Sequence, residues 1–99
     1  MSYDISIEGT EDVDINYTYN VGPMIKEACG DGPNQWSGSL CGELVEKITS
    51  GVFKIMIERE KYEAMNSPNG WGDRLGCIEF LIKVRDACEK YPDKIFECH

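Results

Sequence analysis

The sequence predicts an α+β fold, a small antiparallel sheet made of an N-terminal hairpin and a returning C-terminal strand, with three or four helices packed on one face. Three observations carry that expectation. Polar and apolar residues alternate with period two over the first nineteen positions. From Leu40 onward apolar residues recur at three- and four-residue spacing instead. After Pro92 a short apolar run at Ile95 and Phe96 is suited to rejoin the hairpin. With 99 residues, 41% of them apolar and 10% aromatic, residues 1–99 form a single domain with one modest core.

Each element has its own justification. Tyr3, Ile5 and Ile7 point one way and Asp4, Ser6 and Glu8 the other. Val13, Ile15, Tyr17 and Tyr19 make the matching apolar face of a second strand, backed by Asp14, Asn16, Thr18 and Asn20. Gly9-Thr10-Glu11-Asp12 is a hairpin-length connector. Two strands alone are barely stable, so something must cover them. Residues 23–29 read as a short helix, opened by Pro23 and closed by Gly30. Asp31 to Gly38 reads as a loop pinned to the core by Trp36.

Ser39 is a plausible N-cap for the next helix, whose apolar residues are Leu40, Leu44, Ile48, Val52, Ile55, Met56 and Tyr62. Ser50-Gly51 in its middle invites a kink or a division of residues 40–65 into two helices, because a mid-helix glycine costs about 1 kcal/mol relative to alanine. Asn66 to Gly72, with Pro68 and Asn69-Gly70, stops the helical run. Asp73 caps a last helix running to about Lys90, with Cys77, Phe80, Leu81, Val84, Ala87, Cys88 and Tyr91 on its apolar face.

Charge restricts the function classes. Eighteen acids against ten bases leave a net charge of -8. Asp4, Glu8, Glu11, Asp12 and Asp14 all precede the first base, Lys26, so residues 1–25 carry -5 and residues 26–99, with ten bases and thirteen acids, carry -3. Direct nucleic-acid binding through a basic surface is disfavoured. No run nears the roughly 18 apolar residues of a membrane span, and no signal segment opens the chain, so the expected location is the cytoplasm. The acidic segment has two readings: carboxylates that keep a hairpin solvated, or a patch that docks on a basic partner and imitates the phosphate line of a duplex.

Cys29, Cys41, Cys77, Cys88 and Cys98 lie 12, 36, 11 and 10 positions apart, with no C-x-x-C, and the only histidine is His99. That spacing suits neither a metal site nor a secreted disulfide framework, and the thiols read as reduced. Neither a G-x-S-x-G nor an H-E-x-x-H occurs. The expectation is a protein that is not an enzyme and needs no cofactor.

Two polar clusters stand out. Asn16, Thr18 and Asn20 share a strand face, where they either read donors and acceptors on a ligand or satisfy the backbone, with Asn20 as a cap before Pro23. Asn69-Gly70-Trp71-Gly72 either seals a helix connector with Trp71 or places that indole beside a pocket.

The order Ile15-Asn16-Tyr17-Thr18-Tyr19-Asn20, Leu40-Cys41-Gly42, Tyr62-Glu63-Ala64-Met65 and Asn69-Gly70-Trp71-Gly72 resembles a family of small bacteriophage and prophage proteins with an N-x-T-x-N strand and an N-G-W-G turn. The resemblance implies an accessory phage product acting in the host bacterial cytoplasm. In size and acidity the chain is also similar to phage inhibitors of CRISPR-type defence.

The leading expectation is therefore a non-catalytic inhibitor that docks Asp4, Glu8, Glu11, Asp12 and Asp14 on a host protein's basic nucleic-acid-binding surface. The alternative is a protein that sequesters a nucleotide or other small ligand, with Asn16, Thr18, Asn20, Asn69 and Trp71 converging on one pocket. Completion of such a pocket at a subunit interface leaves a homodimer open.

Overall fold

The computed structural model describes residues 2–99. Strand β1 (Ser2–Ile7) lies at the centre of a three-stranded antiparallel sheet, between β2 (Ile15–Thr18) and β3 (Phe96–Cys98). The hairpin register sets Ser2 opposite Thr18 and Asp4 opposite Asn16, and β3 sets Ile7 opposite Phe96. Five helices follow β2 in sequence: α1 (Gly22–Cys29), α2 (Pro33–Trp36), α3 (Cys41–Ile57), α4 (Arg59–Glu63) and α5 (Arg74–Lys90).

The period-two pattern does what it predicts. Tyr3, Ile5 and Ile7 are buried, and the half-buried Val13, Ile15, Tyr17 and Tyr19 pack beside them against the core. Tyr3 stacks on Phe80 of α5, with ring centroids 6.0 Å apart, and Tyr17 meets the same ring at 5.6 Å. Ile48 and Ile55 of α3, Leu81 and Val84 of α5 and Ile25 of α1 complete the interior. Each contributes roughly 1.5–3 kcal/mol by leaving water.

Local chemistry corrects several expectations. Leu40, not Ser39, precedes the first turn of α3 and caps nothing with its side chain. The amides of Cys41 and Gly42 bond instead to the carbonyls of Lys94 and Pro92, so the chain entering β3 does the capping. The segment 31–38 holds a short helix as well as a loop. Its Trp36 is buried as expected, and the indole N–H donates to Asp31. Burial opposes ionisation of Asp31, but that indole and the Lys47 ammonium outweigh it and hold the carboxyl below its usual range.

Helix α3 passes through Ser50-Gly51 without interruption. A Cβ on Gly51 would overlap the Cys29 sulfur, so the glycine lets α1 and α3 approach closely. The division of residues 40–65 comes later, at Glu58 (φ -90°, ψ 58°). Tyr19 has left the strand for a 3-10 turn over Tyr19–Val21. Leu40, Met56 and Trp71, each offered to the core by its spacing or type, are exposed, and Phe53 and Ile57 flank Met56 on the outer side of α3.

Arg74 is a buried cation that sequence pattern did not single out. It is 8% exposed, its Nε donates to the Ile55 carbonyl (2.9 Å) and its Nη2 to that of Met56 (3.0 Å). These are carbonyls that the end of α3 leaves without helical partners, so Arg74 closes one helix from the first residue of another. None of the described helices is long and apolar enough to cross a membrane.

Candidate functional site

Because the helices cover one face of the sheet, the alternation of β1 turns Ser2, Asp4 and Ser6 toward the other. Cross-strand pairing builds rows on that open face. Thr18 stands beside Ser2, and Glu97 beside Ser6. In the middle row Asn16 pairs with Asp4, while Asp4 and His99 exchange backbone bonds of 3.0 and 2.9 Å. Asp4, Asn16 and His99 are exposed and the other four are half-buried or intermediate.

The Asn69–Gly72 turn folds against one end of this face. The side-chain oxygen of Asn69 accepts from the Trp71 amide (2.9 Å) and from the Ser67 hydroxyl. Asn20 Nδ2 donates to the Trp71 carbonyl at 2.9 Å. Gly72, at φ 106°, seats the turn on β2, where any Cβ would press on Thr18 Cγ2 (2.8 Å) and Val21 Cγ1 (3.0 Å). The peptide units on both sides of Trp71 are thus fixed, yet the residue is 71% exposed.

Between the turn and the sheet lies an open cleft of about 600 Å³. Asn16, Thr18, Asn20 and Trp71 all line it, together with Ser2, Tyr17 and Asp73. Asn69 stands behind the wall, as the residue that shapes the turn. Three of the sequence-predicted candidates have other duties too. Thr18 Oγ1 accepts from the Asn20 amide and so caps the 3-10 turn, the role expected of Asn20. Asn16 Nδ2 donates to Ser2 Oγ (3.2 Å) and Asp4 Oδ1 (3.1 Å).

Three residues of this wall, Ser2, Tyr17 and Asp73, escaped sequence reasoning in that role. Tyr17, assigned to the core face, extends its hydroxyl to accept from the Asp73 amide at 3.4 Å. Burial raises its pKa above the usual phenol value. Asp73, expected only as a cap, does cap Gly76 through Oδ1 (2.7 Å) and also lines the cleft. No Lys or Arg is among the described lining residues. Lys83 lines a separate, smaller crevice with Tyr17 and Glu79.

The acidic segment is divided by the fold. Asp4 belongs to the open face. Asp12 is tied back to α5, accepting from Lys90 Nζ (2.6 Å) and from the Tyr91 hydroxyl (2.7 Å). Those bonds hold its carboxyl below the usual range. Glu8, Glu11 and Asp14 are exposed and have no ion-pair partner among the described residues. Among the described residues no cluster of His, Cys, Asp and Glu could hold a metal ion.

Comparison of the chain with protein-family models, with curated proteins and with solved structures finds no match.

Proposed function

We propose that this chain is a non-catalytic binding protein that inhibits a host nucleic-acid-binding defence effector by docking an acidic surface on its basic site. The observation that carries the reading is the fixed, exposed Trp71 at the rim of an open sheet face bearing Asp4 and Glu97 and lacking a cation in its cleft. An indole held rigidly in water is the kind of side chain that anchors a protein interface. The chain's charge of -8 supplies long-range attraction to a basic partner. The resemblance to phage proteins and the similarity in size and acidity to inhibitors of CRISPR-type defence supply the biological setting, the host bacterial cytoplasm.

In this reading the carboxylates have separate duties. Glu8, Glu11 and Asp14, unpaired at and beside the hairpin tip, steer encounter, while Asp4, Glu97 and Trp71 hold the complex. The test is binding to a purified RNA-guided effector lacking its target nucleic acid, measured by surface plasmon resonance at low and high salt. Glu8→Gln/Glu11→Gln/Asp14→Asn should mainly slow association. Asp4→Asn/Trp71→Ala/Glu97→Gln should mainly speed dissociation. Inhibition left intact by both triple variants would reject the reading.

The small-ligand alternative draws on the same cleft, since Asn16, Thr18, Asn20 and Trp71 meet there as it requires. A phosphate finds no cation in the lining, which favours an uncharged ring such as a nucleoside over a nucleotide. Calorimetric titration with adenosine and with adenosine monophosphate separates the two readings.

A further inference from the structure

We infer that the Trp71 cleft is an arginine pocket, built to take one guanidinium group presented by the docking partner. The inference rests on the docking reading above and adds which partner side chain enters the cleft. It follows from an inventory of what the cleft's polar groups have left to offer. The Asn20 amide faces the carbonyl oxygen of Trp71, and the Asn16 amide faces the carboxylate of Asp4. Only the NH2 end of an asparagine can face such acceptors, so chemistry fixes both side-chain orientations. Each residue is left with its carbonyl oxygen, for which the described residues provide no donor. Asp73 has spent Oδ1 on Gly76 and retains the other oxygen. The hydroxyls of Ser2, Tyr17 and Thr18 also line the cleft, each already accepting one bond and free either to donate or to accept another. With Asp73 as the one charged side chain among the described lining residues, the fixed balance is toward acceptors and negative charge, with the exposed Trp71 at the rim.

An anionic ligand meets the wrong complement. The start of α5 gives it no help in the cleft, because the Arg74 amide is taken by Asn66 Oδ1 (2.8 Å) and the Gly76 amide by Asp73, while Leu75 between them is not part of the lining. A guanidinium matches what remains. It carries five N–H donors in one plane, no acceptor and a permanent charge. It is weakly hydrated and stacks on an indole, whereas an ammonium is compact and strongly hydrated. The same inventory favours arginine over lysine, not merely positive over neutral.

Two fluorescein-labelled peptides, acetylated and amidated, test this. They are alike except that four positions, spaced by Gly-Ser, hold arginine in one and lysine in the other. Binding is read by anisotropy of the peptide, which is unaffected by loss of a protein tryptophan. The arginine peptide should bind about fivefold to tenfold more tightly, the range expected for a cation–π contact with added hydrogen bonds. Trp71→Ala should erase that preference by weakening the arginine peptide more than the lysine peptide, and Trp71→Phe should retain part of it. Equal binding of the two peptides, or a preference that survives Trp71→Ala, overturns the arginine pocket and leaves the docking reading standing. Binding of neither peptide at low salt overturns both. Displacement of the arginine peptide by adenosine, with no preference over lysine, overturns the pocket in favour of the small-ligand alternative.

Discussion

Asn20 and Trp71 stand 51 positions apart, and the hydrogen bond from Asn20 Nδ2 to the Trp71 carbonyl joins the end of the hairpin to the turn that opens α5. With Asn69 gripping the Trp71 amide, the two asparagines hold one peptide segment from both sides. The indole gains a fixed position without being buried. In the docking reading proposed above, fixing it in advance lowers the entropy that a partner would have to overcome.

Asn20→Ala is accordingly expected to leave the core intact and free the turn. A solvent-exposed hydrogen bond of this type is worth about 0.5–1.5 kcal/mol, so global stability should fall by no more than that. Backbone order at Gly70–Gly72 should fall clearly in 15N relaxation. Unchanged order parameters would show that Gly72 packing alone holds the turn.

How far the sequence alone reveals this site depends on which interactions were local. Period two placed Asn16 and Thr18 on one face, because alternation is a property of the strand itself. The small-ligand alternative brought Asn20 and Trp71 to one pocket, but the hydrogen bond between them was not legible, since nothing in either segment encodes a specific bond across 51 positions. Ser39 failed as a cap for the same reason: distant carbonyls at Pro92 and Lys94 satisfied the amides first. Met56 followed the helical period yet stayed outside, because spacing defines a stripe and not its width. For Trp71 the sequence left two places open, sealing a connector or standing beside a pocket, and tertiary placement decides for the exposed position at the cleft.

Gly51 offers a test of helix packing through a double-mutant cycle. Gly51→Ala alone gains helix propensity of about 1 kcal/mol but drives a methyl into the Cys29 sulfur, and overpacking of this kind typically costs about 1–3 kcal/mol. The single variant should be less stable than the parent. In a Cys29→Ala background the obstacle is gone, and Gly51→Ala should stabilise by up to about 1 kcal/mol. Urea unfolding of the four proteins checks the change of sign. The same sign in both backgrounds would dissociate Gly51 from Cys29.

Tyr62 presents the opposite case, a group whose removal should help. Its ring is fully buried, and its hydroxyl has no hydrogen-bond partner among the described residues. A buried unsatisfied hydroxyl costs about 1–3 kcal/mol, part of which Tyr62→Phe recovers without changing the packing of the ring. The expected result is a midpoint of unfolding equal to or above the parent's. A loss of more than about 1 kcal/mol would reveal a partner for that hydroxyl, such as a buried water.

The hairpin tip should respond to pH through Asp12. Its folded pKa is lowered by the Lys90 and Tyr91 bonds, so its contribution is present above the ordinary carboxylate value near about 4 and is lost as pH falls through the folded value. Lys90 is raised by the same contact, so its share is present below the ordinary lysine value near about 10.4 and is lost as pH rises through the folded value. The tie therefore holds across the neutral range. Chemical shifts of Thr10 and Val13 should show a transition on acidification that is absent in Asp12→Asn, with β1 and β3 undisturbed. A surface pair of this kind should alter global stability little.

The thiols divide by accessibility, which makes them reporters of how α5 opens. Burial pushes Cys77 up to about 12 and Cys29 to about 11, and pushes Cys88 upward as well. At pH 8 a thiol at about 11 holds on the order of a hundredth of the thiolate of an ordinary cysteine, and the thiolate is what reacts. Cys98 is also raised by burial, but it is part-exposed on the short edge strand β3, where its sulfur meets Asn34 at 3.4 Å. Under native conditions iodoacetamide should therefore modify Cys98 first, followed slowly by Cys29, while Cys41, Cys77 and Cys88 react at the rate of global unfolding. Peptide mass spectrometry of timed samples gives the order directly. Labelling of Cys77 or Cys88 as fast as Cys98 would mean that α5 parts from the sheet far more often than its buried face and the Arg74 clasp allow.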